Sequence, residues 1–342
     1  MATKHILWLQ LGGTIAAKAR PGSAGGAYIT PSSVHGQGEK VIIDPPEGVK
    51  NVLKTVCTWE SQELASIGSP DIMMKDINGV AHKVKMEMEG NTYYAGCVIT
   101  LGSDTMGEFG TALDLLLGDG VSKPVVLTCS MRIMDALSSD AHRNLIDAFR
   151  VAASSCSKDR GPLLVSNTDI FPAFWAVKAD ANQVNAFSGG PTGPIGRIDD
   201  NTVTYFQSAS RRDYTSMPQH VDASFPKVEI IYGHMGLSPA VFEAATKVAQ
   251  GIVLCGMGAG CWTAEGGKAI IEFAKQEPKY PIVVSFRSVT GFVGLEPLYG
   301  LGDSFIRAGY LNPEKAAVIL QIAMVQPWTI AHLKKVFHHT PA

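Results

Sequence analysis

Four things are scarce or missing in this sequence: an excess of positive charge, cysteines at metal-binding spacing, a bilayer-length apolar run and an internal repeat. Twenty-nine Lys and Arg stand against 31 Asp and Glu, for a formal net charge of -2. Nucleic acid and anionic membrane surfaces both want a basic face, so neither is expected as a partner. The six cysteines (Cys57, Cys97, Cys129, Cys156, Cys255 and Cys261) form neither a metal pair nor a dense framework. Reduced thiols in a cytoplasmic protein are the expected state. The nine histidines show no zinc spacing, and no metal or cofactor is expected. The apolar run Ile6 to Leu11 passes straight into Gly12-Gly13-Thr14 with no basic lead and no cleavage site. It reads as a first core strand and not as a signal peptide. No run is long enough to span a membrane.

What is present is an α/β composition. A chain of 342 residues is long enough for about two domains. With 46% hydrophobic residues, 18% charged residues and 35 glycines, it suits a fold with many tight turns. Short apolar runs alternate with amphipathic ones: Lys4 to Leu11, Pro46 to Cys57, a helical stretch to Asn91, Gly96 to Thr100, Phe109 to Leu117, Lys123 to Thr128, Asp140 to Ala153 and Leu163 to Val165. Such alternation predicts a mainly parallel sheet flanked by helices. Tyr205 to Pro226 lacks periodicity and reads as a linker. Alternation then resumes at Val228 and ends with helices over Asn312 to Met324 and Trp328 to Phe337. The expected organisation is a larger N-terminal domain (1–204), a linker (205–226) and a smaller α/β C-terminal domain (227–342).

One stretch organises the rest: Val98-Ile99-Thr100-Leu101-Gly102-Ser103-Asp104-Thr105-Met106-Gly107-Glu108. A β-branched run stops at glycine, two hydroxyls flank a carboxylate, and an amphipathic run follows. Strand, turn, helix is the reading, with Ser103 or Asp104 as the cap and turn N–H groups free to meet an oxyanion. Thr14, Ser69, Ser103 and Ser130 all fall at or just after strand ends, where ligands of parallel sheets bind. The segment Lys18 to His35 is rich in Gly, Ala, Ser and Pro and carries Tyr28. It reads either as a plain connector or as a lid over Thr14.

Four ordered motifs are similar to those of the bacterial-type L-asparaginase/glutaminase family: Leu11-Gly12-Gly13-Thr14-Ile15-Ala16, Ile67-Gly68-Ser69-Pro70-Asp71, Gly102-Ser103-Asp104-Thr105-Met106, and Ser130-Met131-Arg132 with Ser139-Asp140. The resemblance runs on to Leu311-Asn312-Pro313-Glu314-Lys315-Ala316. It implies a larger and a smaller α/β domain and a small-molecule amide substrate, L-asparagine by default. It also implies a homodimer or homotetramer with sites at a subunit boundary. Thr14 would be the nucleophile, with Tyr28 on its loop, Ser103 and Asp104 beside it, and a lysine that an ungapped count from Gly161 places at Lys178. Gly13, Ser69, Pro70, Gly102, Cys261 and Glu296 fall at substrate-binding positions. The chemistry fits without the family. A threonine hydroxyl attacks an amide only when a base takes its proton, and a lysine serves as that base by desolvation or through a relaying hydroxyl.

The departures from the family pattern cluster on substrate recognition. Serine stands at 103 where threonine is usual, losing a methyl that fixes the rotamer. Leu11 and Leu101 replace threonine and histidine. Pro70 replaces a glutamine that would meet the substrate's ammonium, Cys261 replaces an asparagine, and Cys129-Ser130 replaces Gly-Ala. The family's cross-subunit glutamate aligns with Pro297, and Glu296 serves only with a one-residue shift. The groups for acyl transfer are present, and several that hold a free amino acid's ammonium are not. A repurposed enzyme that hydrolyses or cyclises a larger amide or ester is therefore the alternative, and a non-catalytic binding relative comes behind it. A nicotinamide site over Gly251 to Cys261 is disfavoured, because the third glycine of that fingerprint would fall on Cys261.

Overall fold

The computed structural model describes residues 4–19, 28–29, 42–210, 217–218, 221–222, 224–294 and 304–339. For Lys18, Ala19, Tyr28, Ile29 and His339 it describes the backbone alone. The chain divides into two compact units, Met1–Arg211 and Arg212–Ala342.

In the first unit the elements run β1 (His5–Gln10), β2 (Lys18–Ala19), β3 (Tyr28–Ile29), α1 (Glu47–Val56), β4 (Thr58–Glu63), α2 (Met74–Met88), β5 (Gly96–Thr100), α3 (Met106–Leu117), β6 (Val125–Thr128), α4 (Ala141–Ala153), β7 (Pro162–Ser166), β8 (Asp169–Pro172), β9 (Val177–Lys178), β10 (Phe187–Ser188), β11 (Gly196–Asp199) and β12 (Thr202–Tyr205). Eight of these strands form one sheet in the order β12-β11-β8-β7-β6-β5-β1-β4. From β4 to β7 neighbours are parallel, and β8, β11 and β12 extend the sheet antiparallel. The sheet is thus mainly parallel and helix-flanked, as expected, with an antiparallel wing the sequence pattern did not suggest. Tyr205, placed at the start of the linker, is the last residue of β12, and its hydroxyl donates to Ser157 at 2.8 Å.

The core explains the pattern. Strands β1, β5, β6 and β7 are buried on both faces, so they read as continuous apolar runs. Alternate residues Ile6, Trp8, Val98, Val126, Leu163 and Val165 share one cluster with Val49 and Leu53 of α1 and Leu145, Phe149 and Ala152 of α4. Trp8 meets Phe149 edge-to-face, with ring centroids 5.5 Å apart, an arrangement worth about 1 kcal/mol beyond the area buried. The indole N–H of Trp8 is satisfied by the Thr100 hydroxyl at 3.0 Å. β4 lies at the sheet's edge. Its sequence, Thr-Trp-Glu-Ser-Gln-Glu, is polar and partly exposed, which suits an edge and hides it from a hydrophobicity scan.

The chain leaves β1 for β4 on one side and then returns to β5 on the other. The order of strands reverses between β1 and β5, and a crevice at their carboxyl ends is the ligand position of such sheets.

The second unit contains β13 (Val228–Tyr232), α5 (Pro239–Thr246), β14 (Gly251–Gly256), α6 (Ala264–Gln276), β15 (Ile282–Phe286), β16 (Phe305–Arg307), α7 (Pro313–Ala323) and α8 (Ile330–His339). Its four strands are parallel and in sequential order. Ile231, Phe242, Leu254, Ile270, Val284 and Phe286 form its core. Asn312 caps α7 by accepting from the Lys315 N–H at 3.1 Å, with Pro313 at the first helical position, as the Asn-Pro pair predicts. Short, partly exposed β16 carries too few residues for a periodic signal.

All six cysteines are free, four of them buried. Burial pushes the thiols of Cys57 and Cys255 up to about 12, and those of Cys97 and Cys129 higher still. These four are packing residues and not nucleophiles.

Candidate active site

Three chain segments converge on a pair of glycines. Gly13, just past β1, has φ 83° and ψ -177°, a conformation open almost only to glycine. A Cβ placed there would lie 2.4 Å from the Cα and N of Gly102, just past β5. A Cβ on Gly102 would lie 2.5 Å from the Cβ of Ser69, which follows β4. The missing side chains let the backbones touch, and the residues that follow or face this contact are Thr14, Ser103 and Ser69. Thr14 opens a 3-10 turn, Thr14–Ala16, and is partly exposed.

Ser103 is buried, and its hydroxyl accepts a hydrogen bond from the Lys178 ammonium at 2.9 Å. The same ammonium lies 2.6 Å from Asp104 Oδ1. Asp104 is mostly exposed while Lys178 is largely covered, with side-chain exposures of 57% and 17%. An ion pair so open to water adds about 1 kcal/mol or less to stability. Its effect is to aim the amine. Ser103, having accepted from Lys178, keeps its own proton to donate.

Helix α3 sets both halves of this arrangement. Its entry turn carries Ser103 and Asp104. Its second turn grips the segment that delivers Lys178: a Cβ on Gly110 would lie 2.5 Å from the Ala173 carbonyl oxygen, and the Thr111 hydroxyl donates to the Phe174 carbonyl at 3.1 Å. Lys178 follows in β9, paired to β10 opposite Phe187, and not in an open loop as its sequence context suggested. Gly110 and Thr111 carry no charge or reactive group, and a glycine inside an apolar helix was the only signal of this close approach.

The cap of α3 differs from expectation. Thr105 is the N-cap and its side chain makes no capping bond. Instead Ser69 Oγ, from the 3-10 turn Ser69–Asp71, accepts from the N–H groups of Asp104 at 2.8 Å and Thr105 at 3.1 Å. Neither Ser103 nor Asp104 caps the helix, and the Asp104 N–H is already engaged rather than free for an oxyanion. The reason is local: the N–H groups at and just before the cap need acceptors, and the touching backbones bring a hydroxyl from outside the helix. The Thr105 hydroxyl, one of the two flanking Asp104 and given no role from the sequence, closes the link by donating to the Ser69 carbonyl at 2.8 Å. A hydroxyl that accepts two N–H bonds at the positive end of a helix is polarised to donate its own proton to an anion.

Ser130 and its neighbours build a turn. The Asp140 carboxylate accepts from the N–H groups of Met131 and Arg132, each at 2.9 Å, and the Ser130 hydroxyl donates to the Arg132 carbonyl at 2.6 Å. Leu11 and Leu101 are fully buried and offer the crevice no polar group. Pro70 is exposed beside buried Ser69.

The side chains of the other expected residues lie outside the described residues or in the second unit. Tyr28 lies in β3, paired with Ala19 of β2, and its side chain is outside the described residues. Most of the Lys18–His35 segment, Glu296 and Pro297 also lie outside them. Cys261 is an exposed residue of the second unit, in a turn closed by its backbone bonds to Met257. That closed turn separates β14 from α6, unlike the direct strand-to-helix entry of a dinucleotide site. Among the described residues no group of His, Cys, Asp and Glu is arranged to hold a metal, and no helix is long and apolar enough to cross a membrane.

Residues 5–211 match the family description "Asparaginase, N-terminal", and residues 227–337 match "Glutaminase/Asparaginase C-terminal domain". The chain belongs to the asparaginase family. Relatives include L-asparaginase 2-3 of Saccharomyces cerevisiae, 30% identical over 95% of this chain and 87% of that one. Another is a probable periplasmic L-asparaginase of Haemophilus influenzae, 30% identical over 94% and 89%. The crystal structure of a probable cytoplasmic L-asparaginase from Campylobacter jejuni superposes with a TM-score of 0.83 at 27% identity, covering 98% of this chain and all of that one. L-asparaginases are amidohydrolases that act on C–N bonds, and this asparaginase-family chain has their two-part α/β fold.

The grip of α3 on the Lys178 segment makes a first prediction. Gly110→Ala is expected to shift the Ala173 backbone, cost about 1–3 kcal/mol in stability and lower kcat of amide hydrolysis by about tenfold or more through a displaced Lys178. Thermal unfolding and steady-state ammonia release would check both, and unchanged kcat would remove the positioning role.

Proposed function

We propose that this chain hydrolyses the side-chain amide of L-asparagine to L-aspartate and ammonia through an acyl-enzyme on Thr14. Thr14 Oγ1 attacks the amide carbon, and its proton reaches the departing nitrogen, which leaves as ammonia. Water then attacks the ester, aspartate departs and the hydroxyl recovers its proton. Ser103 relays a proton between Thr14 and Lys178, which takes it up as the neutral amine and returns it as the ammonium; Asp104 orients Lys178, and Tyr28 serves Thr14 from the neighbouring loop. The polarised Ser69 hydroxyl binds the substrate's α-carboxylate. The observation that carries the reading is the Lys178 ammonium held at once by Ser103 and Asp104 beside the Gly13–Gly102 contact that sets Thr14. The active unit is a homodimer or homotetramer in the cytoplasm, with Cys261 and Glu296 of a neighbouring copy completing the pocket.

The relatives named above all carry the name L-asparaginase, two of them as probable ones, and favour free asparagine over a larger amide. Pro70 has no polar group for the ammonium, so binding, more than chemistry, is weakened. Wild-type protein is expected to release ammonia from L-asparagine with a raised KM, and Pro70→Gln is expected to lower that KM by about tenfold with kcat little changed. Coupled ammonia assays on L-asparagine, L-glutamine and an asparagine-containing dipeptide decide the matter. Release from the dipeptide alone would give the larger-amide reading instead.

A further inference from the structure

At the other end of the large sheet's central strands, where β1, β5 and β6 begin, lies a cavity of about 310 Å³. Lys4, Lys123 and Lys158 line it, with Asn91, Thr92, Ser154 and Ser155 among its other polar residues, and no Asp or Glu lines it. The three lysines come from separate places: just before β1, just before β6 and just after the 3-10 turn Ser155–Ser157. The Asp159 N–H donates to the Ser122 carbonyl at 2.9 Å, which ties the segment bearing Lys158 to the one bearing Lys123. Lys4 donates to the Ala153 carbonyl at the end of α4, and Lys123 to the Asn91 carbonyl. Each of these ammonium groups uses one of three donors in that bond. These carbonyl bonds alone account for Lys4 and Lys123, but they do not account for Lys158. Burial, and then the neighbouring Lys158, hold the Lys123 ammonium below its ordinary pKa. An anion between them would relieve that repulsion.

We propose that this cavity binds the phosphate group of a small molecule, with Lys4, Lys123 and Lys158 as its cationic ligands. Three ammonium groups match a dianion better than a singly charged carboxylate, and the Thr92 and Ser155 hydroxyls add neutral donors. Tyr94 and Ala95 form an apolar wall that suits the organic part of a phosphate monoester. The site stands apart from the amide chemistry: it lies at the amino ends of strands whose carboxyl ends carry Thr14 and Ser103.

The test is calorimetric titration of the full chain, at low ionic strength, with inorganic phosphate and with phenyl phosphate. Saturable binding near one ligand per chain is expected, weakening as salt is added. Lys158→Gln, an exposed change that leaves the core alone, is expected to weaken it about tenfold, and Lys123→Gln further. Lys268→Gln, on the second unit, is expected to change nothing. Tighter binding of phenyl phosphate would assign the site to an ester, and equal binding to free phosphate. Failure of both ligands to bind at about 10 mM, or binding unchanged in Lys158→Gln and Lys123→Gln, would overturn the proposal.

Discussion

Thr14→Ala is expected to lower kcat for L-asparagine by about 10³–10⁵-fold while leaving the protein folded. The size follows from the role. Without the hydroxyl no ester forms, and what remains is binding plus whatever water attacks directly. Stability should hardly change, because Thr14 is partly exposed at the start of its turn and its neighbours Ile15 and Ala16 do the packing there. L-aspartate should still bind, since Ser69 and the α3 terminus are untouched. Thr14→Ser keeps the nucleophile and loses the methyl that restricts χ1, so it should retain more activity than alanine, at a loss of about 10–100-fold. Rapid-quench detection of a covalent intermediate in wild type, absent in Thr14→Ala, separates nucleophile from bystander. Turnover by the alanine variant at wild-type rate would end the acyl-enzyme reading.

Gly13→Ala should be the most damaging single methyl in the first unit. The residue's φ of 83° with ψ of -177° costs an L-residue about 1–3 kcal/mol. The added Cβ would also stand 2.4 Å from the Gly102 backbone, which is no flexible side chain able to swing away. Overpacking adds about 1–3 kcal/mol more, for a total of about 2–6 kcal/mol. If the protein survives, the ends of β1 and β5 must separate, and Thr14 moves away from Ser103. Chemical denaturation measures the first effect and kcat the second. Gly90→Ala is the control: its φ is also positive, at 66°, but nothing lies near its Cβ, so only the backbone cost applies. A Gly13→Ala protein no less stable than Gly90→Ala would show that the close approach is not a constraint.

Much of the fold was legible because burial on both faces writes apolar runs into β1, β5, β6, β7, β14 and β15. The capped helices were legible too, above all α7 behind Asn312-Pro313. The strands that escaped include β4, whose polar edge residues imitate a loop, the wing of β8, β11 and β12, and the separate pair β9 and β10, where two- to four-residue strands hold no period. The meeting of Ser103, Asp104 and Lys178 was legible through the motifs and the ungapped count to Lys178. The positions that place them were harder to see. Ser69 caps a helix some 35 residues away, and Gly110 and Thr111 hold a carbonyl more than 60 residues on. Contacts between distant segments leave no local pattern, and a glycine chosen for closeness looks like any other glycine.

The borrowed cap of α3 has a consequence for how such a crevice rests between turnovers. Because Ser69 already satisfies the Asp104 and Thr105 amides, the helix entrance need not reorganise or recruit solvent to stay intact before substrate arrives. Whatever negative group docks on that hydroxyl extends an existing chain of hydrogen bonds by one link. The turn that carries Ser69 is thus held in shape by the scaffold's own hydrogen bonds, and the proposed chemistry would inherit it ready-made.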